Sequence, residues 1–243
     1  MLTKDSAICL RAIDYSETSQ IVTLLAKAAG KISAIAKGSK RLKSSFDGPI
    51  EVLCYGRIVF SPAGDRKLAT LTEFDTQPGP AANNLFALNC SYLTAELVND
   101  LTNECDPHPE LFDQLLQFLQ NTQEAKEKTE LLGLLILFQL ALLKEIGLQP
   151  VLNICANCKS RFKQDWPEVY FSSLAKGLVC RDCEANFVDK TRLSKPIAGC
   201  LADLKKIAEA DEKTLKRIEK ILLDYFSELL RHRPKMAKYI LES

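Results

Sequence analysis

The sequence predicts a multidomain α+β chain: a small five-stranded β-barrel, then a helical region interrupted by a cysteine-bearing insertion. Three patterns carry that prediction. Short, often alternating apolar segments fill positions 1–79. From position 85 onward, apolar residues recur at the three- and four-residue spacing of amphipathic helices. Two C-x-x-C pairs, Cys155/Cys158 and Cys180/Cys183, stand 21 residues apart.

The barrel segments are "AICLRAI", "QIVTLLA", "KISAIAK", "EVLCYGRIVF" and "KLATLTEF". Turn residues separate them at 14–19, at Ala29 and Gly30, at "DGP" (47–49) and at "PAGD" (62–65). Five short strands must bury one face and avoid open edges, and a closed barrel does both. The OB-fold is the five-stranded version. An SH3-like barrel has a similar signature, so the residues predict a barrel and leave its topology open.

"TQPGPAANN", residues 76–84, marks a boundary, and helices follow. Leu85, Leu88, Tyr92, Leu93, Leu97 and Leu101 share one helical face. Pro109 suits the first turn of a second helix carrying Leu111, Leu115, Phe118 and Leu119. In the third, over 130–146, only Gln139 is polar between Leu131 and Leu143, so it must be enclosed. Beyond the cysteine segment, Ser194 and Pro196 open a helix that presents Leu201, Leu204 and Ile207. A last helix presents Leu215, Ile218, Leu222, Phe226 and Leu229. The domains expected are a barrel at 1–79 and a helical domain at 80–243, with 152–186 inserted in the latter.

Composition sets the outer limits. The 243 residues are 47% hydrophobic and 26% charged, as in ordinary globular proteins. The longest apolar stretch, 131–143, is about half of what a bilayer span needs. No basic start followed by an apolar run opens the chain. Five of the nine cysteines stand singly in apolar surroundings, which fits a reducing cytoplasm better than a disulfide framework. The net charge of +1 conceals an acidic middle: residues 80–152 carry 3 Lys/Arg against 10 Asp/Glu. Positions 1–79 carry 11 against 8, and 153–243 carry 18 against 13. Basic regions flanking an acidic one point to separate surfaces with separate partners.

Each C-x-x-C turn places two thiolates on one side of a knuckle, and two knuckles complete a tetrahedron around Zn²⁺. "EVYFSS" and "GLVC" read as a hairpin turning near Gly177, the body of a zinc ribbon. Four cysteine ligands leave no open coordination position, so one structural zinc per chain is expected. An iron–sulfur cluster uses the same ligands. A redox pair needs one C-x-x-C near a βαβ unit, which this pattern lacks. His108, Pro109 and Glu110 match the H-x-E element of zinc deaminases, but Ile154 stands where those enzymes have proline, and the second cysteine pair would fill the site. With two histidines and no P-loop or nucleophile elbow, no enzyme is expected.

"KAAGKISAIAKGSKRLK", 27–43, holds six cations and no acid. On a barrel it would supply a mobile rim that follows a phosphate backbone. "RHRPKMAK", 231–238, holds Arg231, Arg233, Lys235 and Lys238, again without an acid. The candidate DNA-binding residues are Arg11, Lys31, Lys37, Lys40, Arg41, Lys43, Arg231 and Arg233. For base stacking Tyr15, Phe46, Tyr55 and Phe60 are available, with Tyr55 and Phe60 better suited to the core.

The order of these features resembles the bacterial RecO family of DNA repair proteins along almost the full length. The residues that carry the resemblance are "DYSETSQIVTLLAKAAGKISAIAKGSKR" at 14–41, "LTE" at 71–73, "GLQPVLNICANC" at 147–158 and "GLVCRDC" at 177–183. It implies an N-terminal OB-fold, a helical domain and a zinc ribbon. It further implies a cytoplasmic recombination mediator that binds single- and double-stranded DNA and anneals complementary strands. Its implied partners are RecR, single-stranded DNA-binding protein and RecF, in loading RecA. Many family members have glycine where this chain has Lys159, and paired glycines where it has Lys176 and Gly177. From another functional class, a zinc-ribbon scaffold or RNA-binding factor without annealing activity fits the same residues.

Overall fold

A computed structural model describes residues 2–41, 44–64, 67–77 and 84–242. The alternating segments form β1 (Thr3–Asp14), β2 (Gln20–Ala26), β3 (Gly30–Ala36), β4 (Tyr55–Ser61) and β5 (Ala69–Gln77). They close in the order β1-β2-β3-β5-β4, with β4 returning to β1. The β3–β5 pairing is parallel and every other pairing antiparallel. This is the Greek-key closure of an OB-fold, which settles the topology. Every second side chain of β2 and β4 points inward, so Val22, Leu24, Ile58 and Phe60 meet Leu71 and Phe74 in the barrel core.

Most of the boundary stretch at 76–84 lies outside the described residues. After it, α1 (Leu85–Leu101) starts at Asn84, whose side chain accepts from Ala87 N at 2.8 Å. It packs on β1, and α2 (Pro109–Glu124) follows against it. By compactness the chain divides after these helices: Met1–Glu124 is one unit and Ala125–Ser243 the other. The barrel therefore carries two helices beyond the expected boundary at 79.

Polar contacts accompany the buried apolar faces of α1 and α2. Lys27 Nζ lies 2.7 Å from Asp113 Oδ1 on α2, and Ser33 donates its backbone N–H and its hydroxyl to Glu104. Part of the acidic middle of the chain thus faces barrel residues rather than an outside partner. The turn at Gly30 is equally close: it adopts φ +75°, and a Cβ there would sit 2.4 Å from the Asp106 carbonyl oxygen.

In the second unit, α3 (Lys128–Glu145) packs on α5 (Glu212–Leu230). α3 is buried over most of its surface but not all round, since Leu137 is 39% exposed, and Gln139 Nε2 donates to Glu219 Oε1 at 2.8 Å inside the contact with α5. Between the helices lies a three-stranded antiparallel sheet, ordered β7-β6-β8, of β6 (Val169–Ser172), β7 (Gly177–Cys180) and β8 (Thr191–Leu193). The third strand carries the sheet past the expected span of 152–186. Phe171 on β6 meets Tyr225 on α5 edge to face at 5.8 Å. The Tyr225 hydroxyl donates to the Leu148 carbonyl.

One helical expectation changes, and one short helix is added. The helix beginning at Ser194 ends early, as α4 (Lys195–Ala202), because Asp203 turns extended and its carboxylate accepts from Lys205 N. Leu204 and Ile207 then fall in a separate 3₁₀ turn. Within the basic run 231–238 a short helix begins, α6 (Ala237–Leu241), with Ala237 and Ile240 buried.

Candidate metal centre and nucleic-acid interface

Both cysteine pairs sit where a chain reversal brings backbone N–H groups inward. Ala156 N donates to the Leu178 carbonyl, and Leu178 N to that of Val151, so the first knuckle is laced to β7. Cys180 N points at Cys155 Sγ, 3.5 Å away. Cys183 arrives on a 3₁₀ turn directly after β7. Lys159 holds φ +65° and Lys176 φ +56°, left-handed conformations in which glycine would be unstrained. Gly177 retains that freedom where it is needed, since a Cβ there would lie 2.2 Å from the Val151 carbonyl oxygen.

The four sulfurs of Cys155, Cys158, Cys180 and Cys183 all lie within 4.8 Å of one another. Cys158 and Cys180 are 3.7 Å apart. Tetrahedral Zn–S bonds of about 2.3 Å require sulfur separations of about 3.8 Å, so the donor set fits zinc. Among the described residues no histidine or carboxylate joins the group. His108 instead lies beside Asp106, at 3.4 Å.

The thiols differ strongly in proton affinity. Hydrogen bonding to Ser160, whose hydroxyl lies 3.2 Å from the sulfur, brings Cys158 down to about 6. Burial pushes Cys180 up to about 12. Four thiolates this close repel one another, and a divalent cation among them supplies the charge that keeps all four deprotonated. Val179, Trp166, Tyr170 and Phe187 pack around Cys155, Cys180 and Cys183, while Cys158 is exposed.

The basic rim follows β3. Gly38 N donates to Ser19 Oγ, Ser39 Oγ to Gln20 Oε1, and Lys40 N to the Thr18 carbonyl. Gln20, 5% exposed, also receives Ile50 N on Oε1 and donates Nε2 to the Ile50 carbonyl. The loop is therefore pinned to the β1–β2 turn rather than free, and Gln20 is its anchor. A polar residue opening an otherwise apolar strand was the only sequence signal of that role.

The candidate cations then separate. Arg11, Lys37 and Arg41 are exposed, and no salt bridge among the described residues holds them. Lys40 is half-buried and paired with Asp14 at 2.7 Å. Lys43 lies outside the described residues. Lys31 is removed from the rim: its ammonium, 9% exposed as a residue, donates to the carbonyls of Asn99 and Thr102 at 2.6 and 2.5 Å. It caps the C-terminus of α1, whose last turn has no basic residue of its own. Burial lowers its proton affinity, and Glu104 and Asp100 partly restore it.

Of the aromatics, Phe46 and Phe60 are buried and Tyr15 is 63% exposed in the turn that holds the rim. Arg231 and Arg233 are exposed in the second unit, Arg231 as the left-handed C-cap of α5.

An OB-type barrel with two attached helices, followed in the chain by a helical unit that carries a four-cysteine ribbon, defines a two-unit α+β class. Comparison with known proteins narrows the class. The domain family described as "Recombination protein O N terminal" matches residues 1–77, and "Recombination protein O C terminal" matches residues 82–238. The DNA repair protein RecO of Rhodopirellula baltica is 34% identical over 179 residues, 73% of this chain and 65% of that relative. The Bacillus subtilis RecO is 32% identical over 183 residues, covering 75% and 69% of the two chains. With Shouchella clausii RecO the identity is 29%, over 99% of this chain and 94% of the relative. The chain belongs to the RecO family of DNA repair and recombination proteins. Among the described residues no helix is long and apolar enough to cross a membrane.

Proposed function

We propose that this protein is a recombination mediator that works without catalysing a covalent step. It binds single- and double-stranded DNA, anneals complementary strands, and with RecR helps load RecA onto strands coated by single-stranded DNA-binding protein. RecF is a further partner, and the bacterial cytoplasm is the site of action. One zinc per chain, held by Cys155, Cys158, Cys180 and Cys183, stabilises the ribbon and takes no part in chemistry.

The observation that carries this reading is the pinned rim, in a chain of this family. Lys37 and Arg41 project from a loop fixed by Ser19, Thr18 and Gln20, free of intramolecular salt bridges among the described residues, with exposed Tyr15 in the adjoining turn. A fixed row of cations beside a ring suits a phosphate backbone with a base stacked alongside.

The test is binding and annealing by the Lys37→Ala/Arg41→Ala variant. Each lost phosphate contact lowers the slope of log K against log salt by roughly 0.7 for single strands, so the expected decrease is roughly 1.4. Weakening is expected at all sequences alike, with loss of annealing on coated strands and an unchanged melting temperature. An unchanged slope and full annealing would overturn the role of the rim.

A further inference from the structure

We infer that the second unit carries its own binding site for the phosphate backbone of a nucleic acid, in a groove bounded by α5, the start of α4 and the segment after α5. The groove encloses about 870 Å³. Its charged lining is one-sided: Arg192, Lys213, Arg217, Lys220 and Arg233 against the single acid Asp224, with Lys216 held by Glu212 at 3.1 Å.

The geometry follows from α5. Lys213, Arg217 and Lys220 stand at i, i+4 and i+7, one helical face, and all three are exposed. At 1.5 Å per residue they span about 10 Å along the axis. The opposite face, with Leu215, Ile218, Leu222 and Phe226, is buried. These cations therefore stand on a helix fixed by its core contacts.

Charge balance within the lining is uneven. Arg192 is paired with Glu168. Among the described residues no salt bridge holds Lys213, Arg217, Lys220 or Arg233, although Asp224 lies one turn beyond Lys220.

The lining also selects the occupant. Among the described residues no aromatic lines the groove, and its large apolar residues, Ile197 and Leu241, are buried and half-buried. A bound peptide would lack the apolar anchors that give such complexes affinity. A row of unpaired cations at helical spacing instead matches a repeating phosphate chain, read without regard to base.

This inference rests on the DNA-binding reading but involves a different unit of the chain, so the two can fail separately. In the full-length protein, labelled oligo(dT) and oligo(dA) are titrated across a salt series against Lys213→Ala/Arg217→Ala/Lys220→Ala. The salt slope is expected to fall by roughly 2, equally for both oligonucleotides. Should that variant fail to fold by circular dichroism, Arg217→Gln alone is expected to lower the slope by roughly 0.7. An unchanged slope with Arg217→Gln, or with a folded triple variant, overturns the groove while the rim reading stands if Lys37→Ala/Arg41→Ala still weakens binding. Loss of binding to an Asp/Glu-rich peptide with oligonucleotide binding intact also overturns it, and assigns the groove to a protein partner. Absence of any oligonucleotide binding by the wild-type chain overturns both.

Discussion

The barrel and the cysteine ribbon both contain cysteines and both are built from short strands, yet they are held together by opposite means. The barrel closes its hydrogen-bond ladder on itself and fills the interior with Val22, Leu24, Ile58, Phe60, Leu71 and Phe74. Cys9 is one more small apolar side chain in that core; hydrogen bonding to Cys54 and burial hold its thiol protonated. In the ribbon, strands of three and four residues leave no comparable interior. Its core consists largely of Cys155, Cys180 and Cys183 themselves, with Val179. The same residue type packs singly in one place and in the other gathers into a set of four that could hold a metal ion, and the C-x-x-C spacing separates the two.

The comparison breaks most visibly at the metal. Cys180→Ser, or removal of zinc by chelation, is expected to unfold the ribbon, because zinc binding at such sites contributes on the order of 10 kcal/mol of folding free energy. The barrel should keep its structure. Limited proteolysis with mass spectrometry reads both: new cleavage within 151–193, none within β1–β5. A metal-free protein whose ribbon resists protease would show that packing alone suffices.

A smaller effect tests what joins the helices to the barrel. Lys31→Met removes the ammonium that caps α1, leaving the Asn99 and Thr102 carbonyls without that donor. The expected loss is about 1–3 kcal/mol, measured by urea denaturation. Oligonucleotide affinity should stay unchanged, in contrast to Lys37→Ala/Arg41→Ala. A lysine counted among phosphate ligands from sequence would thus prove to be a structural one.

The smallest effect concerns the second unit, where Gln139 meets Glu219. Gln139 Oε1 and Glu219 Oε2 are both buried without a hydrogen-bond partner. Protonation of Glu219 supplies the missing donor, and burial pushes its pKa up to about 7. The folded value exceeds that of an unfolded glutamate, near 4.3. Stability linked to this group is therefore complete below about pH 4 and declines as pH rises toward and through about 7. Glu219→Gln carries its own N–H donor, so it should flatten this dependence and raise the melting temperature at pH 8. A lower melting temperature at pH 8 would show that a charged Glu219 is the stabilising form.

Periodicity and spacing alone determined a great deal. The five strands, α1, α2, α3 and α5, and the two cysteine knuckles are legible because each depends on neighbours two to four residues away. Asp203 stops a helix whose apolar spacing continues to Ile207, since its carboxylate competes locally for the backbone. That competition is weakly written in a single residue.

Tertiary structure alone decided the rest, because it turns on partners far apart in the chain. The parallel β3–β5 pairing made the barrel an OB-fold. Lys31 looks like its basic neighbours until the carbonyls of Asn99 and Thr102, 68 and 71 residues away, accept its hydrogen bonds. Gln20 becomes the anchor of the rim only when Ser39 and Ile50 reach it. Local order follows from nearby covalent geometry; which cation faces solvent depends on where distant polar groups come to rest, and one chain read in order does not display that distance.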